Sequence, residues 1–208
     1  MYYGFTMDLA VIAAAYLIGS VSFAIVVSRI YALPDPRSYG SGNPGATNVL
    51  RSGRKSAAVL TLAGDGGKGW LAVMLAQYYD HGAGTLAHWV IPTVALAVVL
   101  GHMYPVFHRF QGGKGVATAA GALLGLDPWL GLGTLATWIA MAVFFRISSL
   151  AAVVAAVFAP AYAWWLFGLT PVFPAVGAIA LLLIWRHREN LLRLARGEEK
   201  RIGQKASS

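Results

Sequence analysis

Leu9-Ala-Val-Ile-Ala-Ala-Ala-Tyr-Leu-Ile-Gly-Ser-Val-Ser-Phe-Ala-Ile-Val-Val-Ser28 carries no charged residue. A helix needs ~20 apolar residues to cross the hydrocarbon core of a bilayer. Residues 147–185 are equally free of charge and long enough for two crossings. The rest of the chain agrees. Of its 208 residues 58% are hydrophobic and only 12% are charged, with a mean hydropathy of +0.63. A soluble domain carries about 25% charged residues. The fold class is therefore an all-α polytopic membrane protein, built as one domain over residues 1–208.

Two chemistries are excluded early. There is no cysteine, so neither disulfides nor thiolate metal sites exist. The net charge of +8 would suggest nucleic acid in a soluble chain, but here the Lys and Arg residues gather at the ends of apolar runs. No nucleic-acid partner, metal or cofactor is expected. The first residues lack the basic region of a cleavable signal peptide, so the first apolar run is expected to be retained as a span.

The apolar pattern predicts seven transmembrane helices, at about 9–30, 56–79, 86–104, 116–126, 129–145, 150–167 and 172–185, then a basic, partly helical tail. Gly64-Asp-Gly-Gly-Lys-Gly69 is expected to interrupt the second, Pro92 to kink the third, and Pro128 to open the fifth. The fourth is short and carries Gly121-x-x-x-Gly125, a close-packing signal. With seven spans, one side holds Asp8, Asp80, His81 and Asp127 and no Lys or Arg in its loops. The bias of basic residues to the inside makes the N-terminus periplasmic and the C-terminus cytoplasmic. The predicted location is therefore a membrane, in contact with membrane lipid.

Two polar loops stand out from this apolar frame. Tyr39-Gly-Ser-Gly-Asn-Pro-Gly-Ala-Thr-Asn-Val-Leu-Arg51 is dense in neutral donors beside an arginine. Gly40, Gly42 and Gly45 permit positive φ, which lets N–H groups converge on an anion. The second loop runs Gly101-His-Met-Tyr-Pro-Val-Phe-His-Arg-Phe-Gln-Gly-Gly-Lys-Gly115. Gly40-x-Gly42-x-x-Gly45 is not a dinucleotide fingerprint, because no strand precedes it, and neither Gly-Lys-Gly site has the Ser or Thr of a P-loop.

Plainer readings compete at each place. The loops can be ordinary turns, Asp65 and Lys68 an ion pair within a helix, and Ser148 or Ser149 a helix cap. His102 and His108 read as interface histidines. His187 and Asn190 share one face of a terminal basic helix that could bind lipid headgroups. Jointly, however, Arg51, Lys114, Ser149, His187 and Asn190 fall at cytoplasmic ends of spans, forming a basic bowl suited to phosphate attached to something lipidic.

The motifs Gly40-Ser-Gly-Asn-Pro-Gly-Ala-Thr-Asn48 with Arg51, Gly101-His-Met-Tyr-Pro105 with Gly112-Gly-Lys-Gly-Val-Ala-Thr118, and His187-Arg-Glu-Asn-Leu191 with Arg193-Leu194 resemble the bacterial acyl-phosphate:glycerol-3-phosphate acyltransferase (PlsY) family. The resemblance covers nearly the whole chain. It implies a seven-span inner-membrane enzyme, without cofactor, that moves an acyl group from acyl phosphate to the 1-hydroxyl of glycerol 3-phosphate. The products are lysophosphatidic acid and phosphate. Ser41 then matches the family's active-site serine, Arg51 its arginine and Lys114 its lysine. Ser149 matches the serine of the turn beginning at Arg146, and His187 and Asn190 the C-terminal pair. Gly112, Gly113 and Gly115 match a backbone phosphate cradle, and Asp65 and Lys68 an Asp-x-x-Lys-Gly element. Gly40, Gly42, Asn43, Gly45, Thr47, Asn48 and His102 complete the expected substrate-binding set.

On that reading Lys114, the glycine N–H groups and Ser41 hold one phosphate, and Arg51, His187 and Asn190 the other. The proton leaves the attacking hydroxyl for His187 or for an acyl-phosphate oxygen, the latter preferred because no carboxylate is evident. A transporter or channel for an organic phosphate is the alternative, though the polar motifs lie at span ends rather than at mid-membrane. A non-catalytic scaffold would leave the first loop unexplained.

Overall fold

The structure is a computed structural model that describes residues 2–84 and 86–202. Met1 and residues 203–208, read above as parts of the leading segment and the tail, lie outside the described residues. The chain folds into α1 (Tyr2–Gly19), α2 (Phe23–Ile30), α3 (Ala46–Val49), α4 (Lys55–Ala83), α5 (Val90–Met103), α6 (Val116–Leu126), α7 (Pro128–Phe145), α8 (Ser148–Phe167), α9 (Val172–Arg186) and α10 (Arg188–Ala195). Two 3-10 turns, Leu50–Ser52 and Val106–His108, close the polar loops. No strand occurs among the described residues.

The apolar runs are helical as predicted, but several boundaries differ for physical reasons. The first run is not one helix. It breaks between Gly19 and Phe23, where Ser22 takes an extended backbone (φ −92°, ψ 103°). The break frees the Val21 carbonyl, which accepts a hydrogen bond from Lys68 Nζ at 2.6 Å. Conversely α4 is continuous for 29 residues through Gly64–Gly69, the predicted interruption. Asp65 and Lys68 satisfy each other inside the helix, so the charges do not force a break. The turn expected at Asp80–Gly84 is confined to the end of that stretch, because α4 runs on to Ala83. Pro92 lies in the first turn of α5, where no helical N–H is lost, so it does not kink the helix. Asp127 caps α7 by accepting from the N–H groups of Trp129 and Leu130 at 2.8 and 3.0 Å, with Pro128 in the first turn. Neither serine caps α8, which is preceded by Ile147 without a side-chain cap.

Four segments among the described residues are long and apolar enough to cross a bilayer: Phe5–Ile30, Val90–His108, Pro128–Phe145 and Ser148–Phe167. The predicted count of seven exceeds these. α4 is long enough but contains the buried charges, and α6 and α9 are short, at 11 and 15 residues. At ~1.5 Å per residue α6 spans roughly half of the ~30 Å hydrocarbon core.

α6 is held by an extreme approach to α4. A Cβ on Gly69 would strike the Thr118 carbonyl, and one on Gly121 would strike the Gly66 carbonyl. These glycines therefore serve packing, with backbone against backbone. Val94, Val98 and Val99 of α5 and Ala119 and Ala122 of α6 form the core beside this contact. Gly121→Val puts a branched side chain into that carbonyl. It is expected to lower stability by about 1–3 kcal/mol or more, read as a fall in Tm of the detergent-solubilised protein, whereas Gly177→Val, where a Cβ meets nothing within 4 Å, leaves Tm unchanged.

Candidate active site

The first polar loop is stitched by its own asparagine. Gly40 and Gly42 adopt the positive φ expected of them, 63° and 65°, whereas Gly45 is extended at −159° and precedes α3. Asn48 is buried. Its Nδ2 donates to the carbonyls of Pro36 (2.6 Å) and Tyr39 (3.1 Å), and its Oδ1 accepts from Ser41 N–H (3.0 Å). Gly42 N–H donates to Tyr39 O. Two of the N–H groups expected to converge on an anion, those of Ser41 and Gly42, are thus used to build the loop, and Asn48 shapes the loop rather than offering free donors. The Arg51 guanidinium packs against Gly40. Thr47 Oγ1 reaches Ser148 Oγ at 3.4 Å, tying the loop to the start of α8.

Behind the second loop lies a buried cluster. Lys68 and Asp65 are 4% and 2% exposed. An ammonium has three donors, and Lys68 Nζ has three acceptors: Val21 O (2.6 Å), Asp65 Oδ1 (2.8 Å) and His102 Nδ1 (3.0 Å). Because Nδ1 accepts, His102 carries its proton on Nε2, which abuts Gly113: a Cβ there would collide with it. His102 is buried within the bundle. Asp65, Lys68 and His102 bind one another and line no part of the cavity described next.

That cavity, of about 180 Å³, is lined by Ser41, Gly42, Asn43, Gly112, Lys114, Arg186, Arg188 and Glu189. It brings together the first loop, the second loop and the α9–α10 junction. Gly113 N–H donates to His102 O at 3.1 Å, so this member of the predicted cradle is already engaged, whereas the N–H groups of Gly112, Lys114 and Gly115 have no acceptor among the described residues. Burial pushes the Lys114 ammonium down to about 8, opposed by the Glu199 charge and reinforced by Arg193 and Arg186.

The C-terminal pair stands beside this wall. Lys114 Nζ donates to Asn190 Oδ1, so the two phosphate-holding sets predicted separately are joined in one network. His187 is 3% exposed. Its Nδ1 lies 2.7 Å from the Leu183 carbonyl, which can only accept, so Nδ1 carries the proton and Nε2 the lone pair. Burial, with the nearby Lys114 charge, lowers its pKa to about 4 despite the opposing bond to Leu183. His187 is thereby held toward its neutral form at pH 7.

Sequence reading missed four residues. Arg186, Arg188 and Glu189 line the cavity, although the site had been expected to lack a carboxylate. Glu199 is the fourth. Its Oε1 accepts from Ser149 Oγ (2.7 Å) and Asn190 Nδ2 (2.5 Å), and its Oε2 from Arg193 Nε (2.9 Å). The residue lies beyond α10, in a segment that also ties Ile202 N–H to Arg146 O at 2.7 Å. The carboxylate pair Glu198-Glu199 in a basic tail was the available signal.

An apolar helical bundle with a small cationic cavity walled by glycines has the build of an integral membrane acyltransferase. The family model described as glycerol-3-phosphate acyltransferase matches residues 9–197. The chain belongs to the glycerol-3-phosphate acyltransferase family. It is 64% identical over 192 residues to the glycerol-3-phosphate acyltransferase of Ralstonia nicotianae, covering 92% of each chain. To that of Thiobacillus denitrificans it is 59% identical over 200 residues, covering 96% of this chain and 100% of the other. It superposes on the crystal structure of PlsY (YgiH), an integral membrane glycerol 3-phosphate acyltransferase in its glycerol 3-phosphate form, with TM-score 0.86 and 37% identity over 95% of this chain and 96% of that one. The lysophosphatidic acid form gives TM-score 0.85 and 36% identity with the same coverage.

The Glu199 network predicts a pH effect on stability. Burial raises its carboxyl pKa, but the bonds from Asn190, Ser149 and Arg193 outweigh this and leave it lowered. A lowered folded pKa contributes stability that is complete above the unfolded carboxyl pKa and is lost as pH falls through the folded value. Tm measured from neutral to acid pH should fall less steeply for Glu199→Gln than for the unaltered protein; parallel curves would show that the carboxylate contributes nothing.

Proposed function

We propose that this chain transfers an acyl group from acyl phosphate to the 1-hydroxyl of glycerol 3-phosphate, releasing lysophosphatidic acid and phosphate. The observation that carries the proposal is the cavity joining Ser41 and Asn43 to Lys114, Arg186 and Arg188. A cationic, donor-rich site of that size suits phosphate, and the neighbouring apolar helices suit an acyl chain. The solved relatives in glycerol 3-phosphate and lysophosphatidic acid forms support the acceptor and the product.

Acyl phosphate is a mixed anhydride and needs little further activation. The glycerol hydroxyl oxygen attacks the carbonyl carbon. The carbon–oxygen bond to phosphorus then breaks, and phosphate leaves with the electron pair. Lys114 and Arg188 stabilise that charge, and Ser41, Asn43 and the free loop N–H groups orient the reacting groups. The hydroxyl proton passes to a phosphate oxygen. The low basicity of His187 supports this route over transfer to the imidazole, whose Nε2 lone pair can still orient a hydroxyl.

In the same reading α1–α2, α4, α5, α6, α7, α8 and α9 are the seven spans of an inner-membrane protein. The segregation of Lys and Arg supports a cytoplasmic site and C-terminus and a periplasmic N-terminus. Arg51 supports the first loop from behind Gly40, and Ser149 and Asn190 set the tail side of the site.

Purified protein in lipid, given acyl phosphate and glycerol 3-phosphate, should release phosphate and lysophosphatidic acid together; absence of both products overturns the proposal. Lys114→Ala should lower kcat/KM by about 100-fold, the scale for losing one donor to developing charge. The unaltered enzyme's kcat/KM should fall as pH rises through about 8, where free Lys114 loses its charge. That limb should disappear in Lys114→Ala.

A further inference from the structure

Arg186 closes α9, and its guanidinium turns back onto the second loop. Nη2 donates to the carbonyls of Gly112 (2.8 Å) and Gly113 (2.9 Å), and Nε donates to Gly113 O (3.1 Å). Three of its five N–H donors are thus committed to two successive carbonyl oxygens. The guanidinium carbon also lies 5.4 Å from the centre of the Tyr104 ring, and the Tyr104 carbonyl is fixed by Tyr16 Oη at 2.6 Å. No acidic residue pairs with Arg186 among the described residues.

Two neighbouring carbonyl dipoles aimed at one point repel each other unless a cation sits there. Arg186 is that cation. On the other side of the same peptide, His102 takes the Gly113 N–H through its carbonyl and blocks the Gly113 Cα with its imidazole. The Gly112–Gly113 unit is gripped from both sides, and Lys114 follows directly. We propose that Arg186 is a positioning residue: it fixes the orientation of the Gly112–Gly113 peptides and thereby where the Lys114 ammonium stands. This rests on the reading of Lys114 as a phosphate ligand. A planar fork suits the task because its donors are held in fixed relative directions.

A double-mutant cycle tests the proposal. Arg186→Gln is expected to lower kcat/KM by about 10-fold with Lys114 present, and by less than about 2-fold in a Lys114→Ala background. Losses that multiply across the two backgrounds overturn it, because they would mean that Arg186 meets the substrate itself or merely supports the fold. Tm of each variant is followed in parallel. If Arg186→Gln does not fold, Arg186→Lys is used, which keeps the charge but not the fork; its loss should also vanish without Lys114. The cycle is repeated with the dissociation constant of inorganic phosphate as the readout. This separates the two ideas: a protein that makes no product but shows the coupling in phosphate affinity retains the positioning role while losing the acyltransfer reading. Independent effects on phosphate affinity would defeat the positioning role.

Discussion

A single ammonium group holds the membrane-embedded part of this protein in register. Lys68 donates its three N–H bonds to the break between α1 and α2, to its own helix and to α5. A buried charge of this kind is tolerable only when fully partnered. Removing one acceptor would leave the others insufficient. The break after Gly19 is part of the same solution, since an intact helix would have no free carbonyl at Val21. The imidazole that completes the cluster then reaches outward to Gly113. The position of a polar loop is in this way set by an interaction inside the bundle.

The loops gain their shape before any substrate arrives. Asn48 uses both of its amide donors and accepts once at its oxygen on the first loop, and Arg186 and His102 grip the second from opposite sides. The surplus is left to a few groups: the ammonium of Lys114, the side chains of Ser41, Asn43 and Arg188, and the N–H groups of Gly112, Lys114 and Gly115. Preorganisation of this sort means that little ordering entropy is lost when phosphate binds. The neutral state of His187 follows from the same economy of space, because burial between helices disfavours the imidazolium.

Much of this could be read from residues alone. The uncharged runs at 9–28 and 147–185 specify helices in lipid, and the density of Asn, Thr and Arg around Gly40–Gly45 marks the first loop as special. Asp127 and Pro128 announce the start of α7 through capping chemistry that is local in sequence. What stayed hidden was non-local. Nothing near Gly64–Gly69 says that its glycines meet another backbone instead of making a turn, because that depends on Thr118 and Gly121. Nothing near Asn48 says that its amide faces Pro36 and Tyr39. Arg186 and Glu199 look like members of a charged tail until the fold brings the second loop and Ser149 to them. Helix breaks inside apolar runs were equally illegible, since Gly19 and Ser20 are common in continuous membrane helices.

The link from Glu199 to Ser149 and Asn190 has a consequence for how the molecule is made. In chain order, this carboxylate follows every apolar helix and both polar loops. The residue that ties α8 to α10 is therefore translated only after every one of these helices. The assembled site is a late product of synthesis. A chain halted after α10 would carry its loops, Lys114, Ser149 and Asn190 without the carboxylate that joins Ser149 to Asn190.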